Sequence, residues 1–179
     1  DLEICAKNIV DNDAKSLSEM ETYLRENIFH CDLVNIFSCE NCELDFASPF
    51  VSGDSLIYNK VYSESQINKK FWKWDFEEAL KEVSREHLGG DEAAGLKILD
   101  IGAGSGHFLK RIKSSFGNAE CYAVEYSNSC RAELEKIGVH CFTDLSSLCD
   151  AGLVEFDFIT IFQVVEHVDN FDEFFGSIR

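Results

Sequence analysis

One stretch constrains this chain more than any other: Lys97-Ile98-Leu99-Asp100-Ile101-Gly102-Ala103-Gly104-Ser105-Gly106. An apolar run ends in a carboxylate, three alternate glycines follow, and His107-Phe108-Leu109-Lys110 opens a helical pattern. The stretch reads as a buried strand, a tight turn and a helix N-terminus. Glycine permits positive φ and lets the backbone approach a ligand closely, and the free amides of the helix start can face that ligand.

Downstream the rhythm continues as strand, helix, strand. Ile98–Ile101 is the first expected strand and Phe108–Phe116 the first helix. Cys121–Glu125, Ser129–Ile137 and Val139–Phe142 follow as strand, helix and strand, with a short helix near Leu145–Leu148. Phe156–Phe162 is the fourth strand, and Phe171–Ile178 reads as a helix. Such alternation implies an α/β fold: a Rossmann-like, doubly wound, mostly parallel sheet with helices on both faces.

Upstream the pattern is less regular, a small α+β region. Asp13–Phe29 reads as an amphipathic helix capped by Asp13 or Ser16, with Leu17, Met20, Leu24 and Ile28 on one face. Leu33–Phe46 reads as a hairpin whose tip carries Cys39-Glu40-Asn41-Cys42. That spacing is half of a zinc site, so Cys39 and Cys42 are candidate metal ligands. Glu43 stands where such knuckles have glycine, no second C-x-x-C exists, and Cys5, His30 and Cys31 are the residues left to complete a set. The alternative is a metal-free hairpin.

Tyr58, Tyr62, Phe71, Trp72 and Trp74 form an aromatic stretch, read first as packing. Asp75 and Glu78 have capping-box spacing ahead of a helix carrying Phe76, Leu80 and Val83 inward. Gly89-Gly90-Asp91-Glu92 is a polar linker, which divides the chain into 1–90 and 91–179.

Charge limits the partners. Lys and Arg number 16 against 33 Asp and Glu, a net −17, with no basic patch, so a nucleic-acid backbone is repelled. A small molecule or another protein is the expected partner. The eight cysteines fall partly inside apolar runs such as Cys121-Tyr122-Ala123-Val124, the pattern of reduced thiols in a cytoplasmic protein. No apolar run is long enough to span a bilayer and no signal-peptide core is present, so no membrane association is expected. The first residue is Asp, and the natural start is expected to have been removed or to lie upstream.

Ligands of such sheets bind outside the carboxyl ends of the strands. The first strand delivers Asp100 with Gly102, Ala103 and Gly104; the second delivers Glu125 and Tyr126. An acidic side chain about twenty residues after the glycines offers two acceptor oxygens to a ribose diol. The third strand delivers Thr143-Asp144-Leu145, where Asp144 also reads as a helix N-cap. The fourth ends in Phe162-Gln163-Val164-Val165-Glu166-His167. A dinucleotide turn, G-x-G-x-x-G, would need glycine at His107.

The G-x-G-x-G turn behind Asp100 resembles motif I of the class I S-adenosylmethionine-dependent methyltransferases. Phe156-Asp157-Phe158-Ile159 with Gln163-Val164-Val165-Glu166-His167 resembles their motif at the end of strand four, with Val165 in place of leucine. The resemblance covers residues 96 to about 175 and implies S-adenosylmethionine as methyl donor, whose sulfonium and ammonium suit a carboxylate in the turn. It implies donor contacts from Asp100, Gly102, Ala103, Gly104, Glu125, Tyr126, Asp144, Leu145 and Gln163. Asp144 would reach the adenine amino group and the Leu145 amide a ring nitrogen. The hairpin also resembles a small cysteine-bearing module found ahead of some bacterial methyltransferases, and the aromatic stretch their donor lid.

His167, with Glu166 as partner, is the candidate general base for an acceptor that must lose a proton. The Glu-His pair also recurs in members with unlike acceptors, which points to a structural role. The acceptor expected is a small molecule or sugar derivative. Resembled sequences continue through a lysine-proline-glycine turn and three more strands. The chain therefore reads as a fragment or as an incomplete fold whose exposed sheet edge invites homodimerisation. Two rivals stand beside this reading: a non-catalytic module that binds the donor, and an NAD-binding oxidoreductase.

Overall fold

The computed structural model describes residues 14–31, 33–64, 73–86, 95–153 and 155–178. The described residues of 1–65 and 167–179 form one compact unit, and those of 66–166 form a second. The linker expected at 89–92, with its division at residue 90, lies outside the described residues, as do Cys5, Asp13, Phe71 and Trp72.

In the first unit, α1 (Ala14–Tyr23) runs into a wider π-helical turn over Leu24–Phe29, which His30 ends at φ 51°. The single helix expected to Phe29 thus changes its winding at Leu24, and Ser16 lies inside it rather than at its cap. Met20 and Leu24 pack with Ile57 of α2 (Ser55–Glu64) into a small core. Asp54 caps α2 by accepting from the Leu56 and Ile57 amides, both at 3.1 Å, and also accepts from the Tyr23 hydroxyl. Strands β1 (Asn35–Ser38) and β2 (Asp45–Ser48) pair antiparallel with Phe37 opposite Phe46, the hairpin expected from the sequence. The helix α7 (Phe171–Ser177) completes the unit, capped by Asn170.

The second unit holds a parallel sheet of four strands: β3 (Lys97–Ile101), β4 (Glu120–Val124), β5 (His140–Phe142) and β6 (Phe158–Ile161). Their order is β5-β4-β3-β6. The chain moves outward from β3 through β4 to β5, then returns to the other side of β3. That reversal is the switch point at which open α/β sheets leave a crevice. The α/β, Rossmann-like reading of the sequence is the architecture observed.

Burial explains the composition of the strands. Ile98, Leu99, Ile101, Cys121 and Ala123 are all at most 3% exposed; successive residues point to opposite faces, so both faces of the central strands are buried and the run is apolar apart from Asp100. The helices reach this core at helical spacing: Phe76, Leu80 and Val83 from α3 (Trp74–Glu86), and Phe108, Leu109 and Ile112 from α4 (His107–Ser115). Leu134 from α5 (Asn128–Lys136) and Leu148 from α6 (Leu145–Asp150) are also buried. Several boundaries shift from expectation by a residue or two, and two of the differences have a local cause. The fourth strand starts at Phe158, since Asp157 turns its carboxylate onto the Lys97 amide at 2.7 Å and its own amide onto the Lys97 carbonyl at 2.9 Å. The capping box at Asp75 does not form: α3 begins one residue earlier, and Glu78 pairs with Lys81 instead.

Candidate functional site at the carboxyl ends of the strands

One residue before its end, strand β3 carries a buried acid. Asp100 is 2% exposed, sits between Ala123 and Thr160 on its neighbours, and accepts from the Thr160 hydroxyl at 2.9 Å. Burial pushes its carboxyl up to about 7, against the pull of the Thr160 hydroxyl and with a further push from Glu125. An acid in this state holds its proton below neutral pH, and a cation placed beside it favours loss of that proton to solvent.

The glycines that follow do different work. Gly102, at φ 75°, donates to the Val124 carbonyl at 2.8 Å, and a Cβ there would stand 2.2 Å from Val164 Cγ2. Nothing larger than glycine fits between the turn and the end of β6. Gly104, at φ 53°, faces open space: a Cβ would meet nothing within 4 Å. Beside it the Ser105 hydroxyl oxygen is buried with no hydrogen-bond partner.

Glu125, one residue past β4, is 5% exposed. Its Oε2 accepts from the Gly104 amide at 2.8 Å and its Oε1 from the Ser127 amide at 2.7 Å. The carboxylate therefore latches the glycine turn to the end of β4. Burial pushes its carboxyl above the usual carboxylate range, while the two amides, and Arg131, oppose the rise. Arg131 Nη1 in turn donates to the carbonyls of Glu125 and Tyr126, at 2.5 and 2.9 Å, leaving Tyr126 half exposed at the rim. Each carboxylate oxygen has a second lone pair, enough for two hydroxyl donors.

At the end of β5, Asp144 is the N-cap of α6. Its Oδ1 accepts from the Ser147 amide at 2.7 Å, Thr143 donates to its Oδ2 at 3.0 Å, and the Ser147 hydroxyl closes a capping box. These donors, the Ser147 amide foremost, hold its carboxyl below the usual range. Leu145 opens the helix. At the end of β6, Gln163 is an exposed non-glycine residue at φ 55°, a conformation held at some cost. Its side-chain carbonyl accepts from Lys73, whose ammonium lies 5.5 Å over the Phe76 ring. Phe162 beside it packs edge-on against Phe76 and Phe108, at 4.7 and 5.0 Å.

The second unit thus brings Asp100, Gly102, Ala103, Gly104, Glu125, Tyr126, Asp144, Leu145 and Gln163 to one edge of one sheet. An open glycine face, an orphaned hydroxyl, and acids with lone pairs to spare fit a ligand that carries both hydroxyls and positive charge. Residues 71–179, more than half of the chain, match the family described as Methyltransferase domain. The chain belongs to the class I S-adenosylmethionine-dependent methyltransferases. No curated protein matches it. Membership in this family replaces the oxidoreductase reading.

Three residues of this methyltransferase site escaped the sequence. Lys73 and Thr160 hold Gln163 and Asp100 across 90 and 60 residues, while Arg131 holds the Glu125 carbonyl from six residues on, a spacing that matches no motif. Other candidates stand elsewhere. His167 belongs to the first unit, where its ring meets Tyr58 edge-on at 6.2 Å. Cys39 and Cys42 lie at the hairpin tip, Cys39 half-buried and Cys42 exposed. Among the described residues no group of three or more His, Cys, Asp or Glu is placed to hold a metal, and no helix is long and apolar enough to cross a membrane.

Proposed function

We propose that this methyltransferase binds S-adenosylmethionine along the carboxyl ends of β3, β4 and β5 and methylates a small-molecule or sugar-type acceptor in the cytoplasm. The observation carrying this reading is the latch of Glu125 on Gly104 beside buried Asp100. It holds an acidic cradle rigid before any ligand arrives, so little ordering entropy is lost on binding.

The bound donor supplies a methyl group on a sulfonium, open to in-line attack by an acceptor. The chain's part is positioning. Glu125 accepts from the ribose hydroxyls with its remaining lone pairs, and Asp144 with the Leu145 amide meets the adenine. Asp100 gives the cationic end a negative partner, and Gln163 closes the edge at β6. The net charge of −17 favours a small acceptor over a nucleic acid.

Calorimetric titration with S-adenosylhomocysteine, and separately with NADH, tests the reading. Micromolar affinity for the first alone is expected, and its absence removes the proposal. Asp100→Ala or Glu125→Ala should each weaken that binding by about 1–3 kcal/mol, the scale of a lost charge-assisted hydrogen bond.

A further inference from the structure

The hairpin of the first unit carries a feature that methyl transfer does not use. The loop between β1 and β2 is closed by two backbone bonds: the Cys39 amide to the Leu44 carbonyl at 2.8 Å, and the Glu43 amide to the Cys39 carbonyl at 2.9 Å. The second is a bond from residue i+4 to residue i, one helical turn. Side chains three residues apart on such a turn share a face. Hydrogen bonding from the Asn41 and Cys42 amides, and from the Cys42 thiol, holds the Cys39 thiol below its usual range. Glu43 closes the turn at φ 58°, a left-handed conformation that favours glycine.

This turn carries two thiols three residues apart at the surface, whereas the other described thiols are buried or solitary. Cys121 and Cys130 are at most 3% exposed, and burial pushes the thiols of Cys121 and Cys141 up to about 11. Cys149 is exposed on α6, with no cysteine one turn away. A metal is a poor occupant, because no third ligand joins the pair among the described residues.

We propose that Cys39 and Cys42 are a reversible dithiol–disulfide pair, a site of selective thiol oxidation by small-molecule disulfides at the tip of the hairpin. The Cys39 thiolate attacks one sulfur of the small disulfide and expels the other half as a thiolate, which takes up a proton. Cys42 then loses its proton to solvent and attacks Cys39 Sγ. The Cys39–Cys42 bond forms and the second small thiol departs. Two protein thiols are oxidised, and one disulfide is reduced to two thiols. In a reducing compartment the pair rests as the dithiol and closes only when the poise rises.

The test uses the whole chain, incubated in glutathione buffers from fully reduced to fully oxidised, then quenched, alkylated, digested and weighed by mass spectrometry. The expected result is joint loss of both alkylatable thiols from the peptide spanning residues 39 to 42, without bound glutathione and reversed by dithiothreitol. Cys149 should stop at a mixed disulfide. Cys42→Ser should trap glutathione on Cys39, and unchanged far-UV circular dichroism checks that this surface variant folds. The proposal is overturned if both thiols stay alkylatable in oxidised glutathione. It is also overturned if wild-type Cys39 accumulates as much mixed disulfide as Cys149. Stoichiometric zinc that shields both thiols in the purified chain would overturn it in favour of a metal site.

Discussion

The parallel sheet and the hairpin are made of similar residues and meet opposite fates. In β3 and β4, Ile98, Leu99 and Ala123 are at most 1% exposed, whereas Ile36, Phe37 and Phe46 in the hairpin are 68%, 49% and 46% exposed. Both segments read as apolar strands. The difference is what covers them: side chains of α3, α4 and α5 pack onto the sheet, while a two-stranded ribbon has no second layer of its own and is marginal alone. Rigidity follows burial. The donor site stands on the sheet, where the backbone of each strand end is fixed by neighbours. The thiol pair stands on the ribbon, where only two loop bonds close the turn.

That contrast can be broken by mutation. The largest effect is expected for Leu99→Ala in the central strand, about 2–5 kcal/mol lost in urea unfolding, since the site cannot collapse around the missing atoms. A loss under about 1 kcal/mol would mean that the sheet is packed no better than the ribbon.

Asp100 sharpens the comparison through pH. Its folded carboxyl titrates at about 7 against an ordinary 3.8, so between those values the folded chain holds a proton that the unfolded chain has released. Its contribution to stability is therefore full below about pH 4 and is lost as pH rises through 7. Asp100→Asn keeps an acceptor for Thr160 and should flatten that slope, by an amount of order a few kcal/mol across the window. Glu125, raised in the same direction, leaves a residue of slope behind. Urea midpoints from pH 4 to 8 in both proteins read this out, and parallel curves would refute it.

Gly102→Ala comes next, at roughly 2 kcal/mol, from the strain of a side chain at positive φ and the contact with Val164. Thermal melting reads it, and trimming Val164 to Ala in the same chain should relieve the contact part. The smallest effect is expected in the ribbon. Ile36→Ala, at an exposed position, should stay within about 0.5 kcal/mol in urea unfolding. A larger loss would reveal that something covers the hairpin.

How much of this was legible beforehand depends on the reach of each cause. The glycine turn, the strand–helix alternation and the Asp144 cap were readable because their causes lie within a few residues: positive φ, hydrophobic period, a side chain bonding an amide three positions on. The capping box at Asp75 was misread for the same reason, since a local pattern cannot say that the helix starts one residue earlier. The candidate donor residues were placed at strand ends correctly, yet what those side chains bond to was not visible. Glu125 reaches back 21 residues to Gly104, Thr160 reaches Asp100 across 60, and Lys73 reaches Gln163 across 90.

The amino-acid pattern alone therefore determined that a parallel sheet would carry an acidic, glycine-lined edge. Only tertiary structure decided that Asp100 would be sealed from water, that Glu125 would accept from the glycine turn with one oxygen and from the Ser127 amide with the other, and that His167 would pack with Tyr58 in the other unit. Patterning records which face of an element is buried. Strand order, which packing sets, records what that face meets.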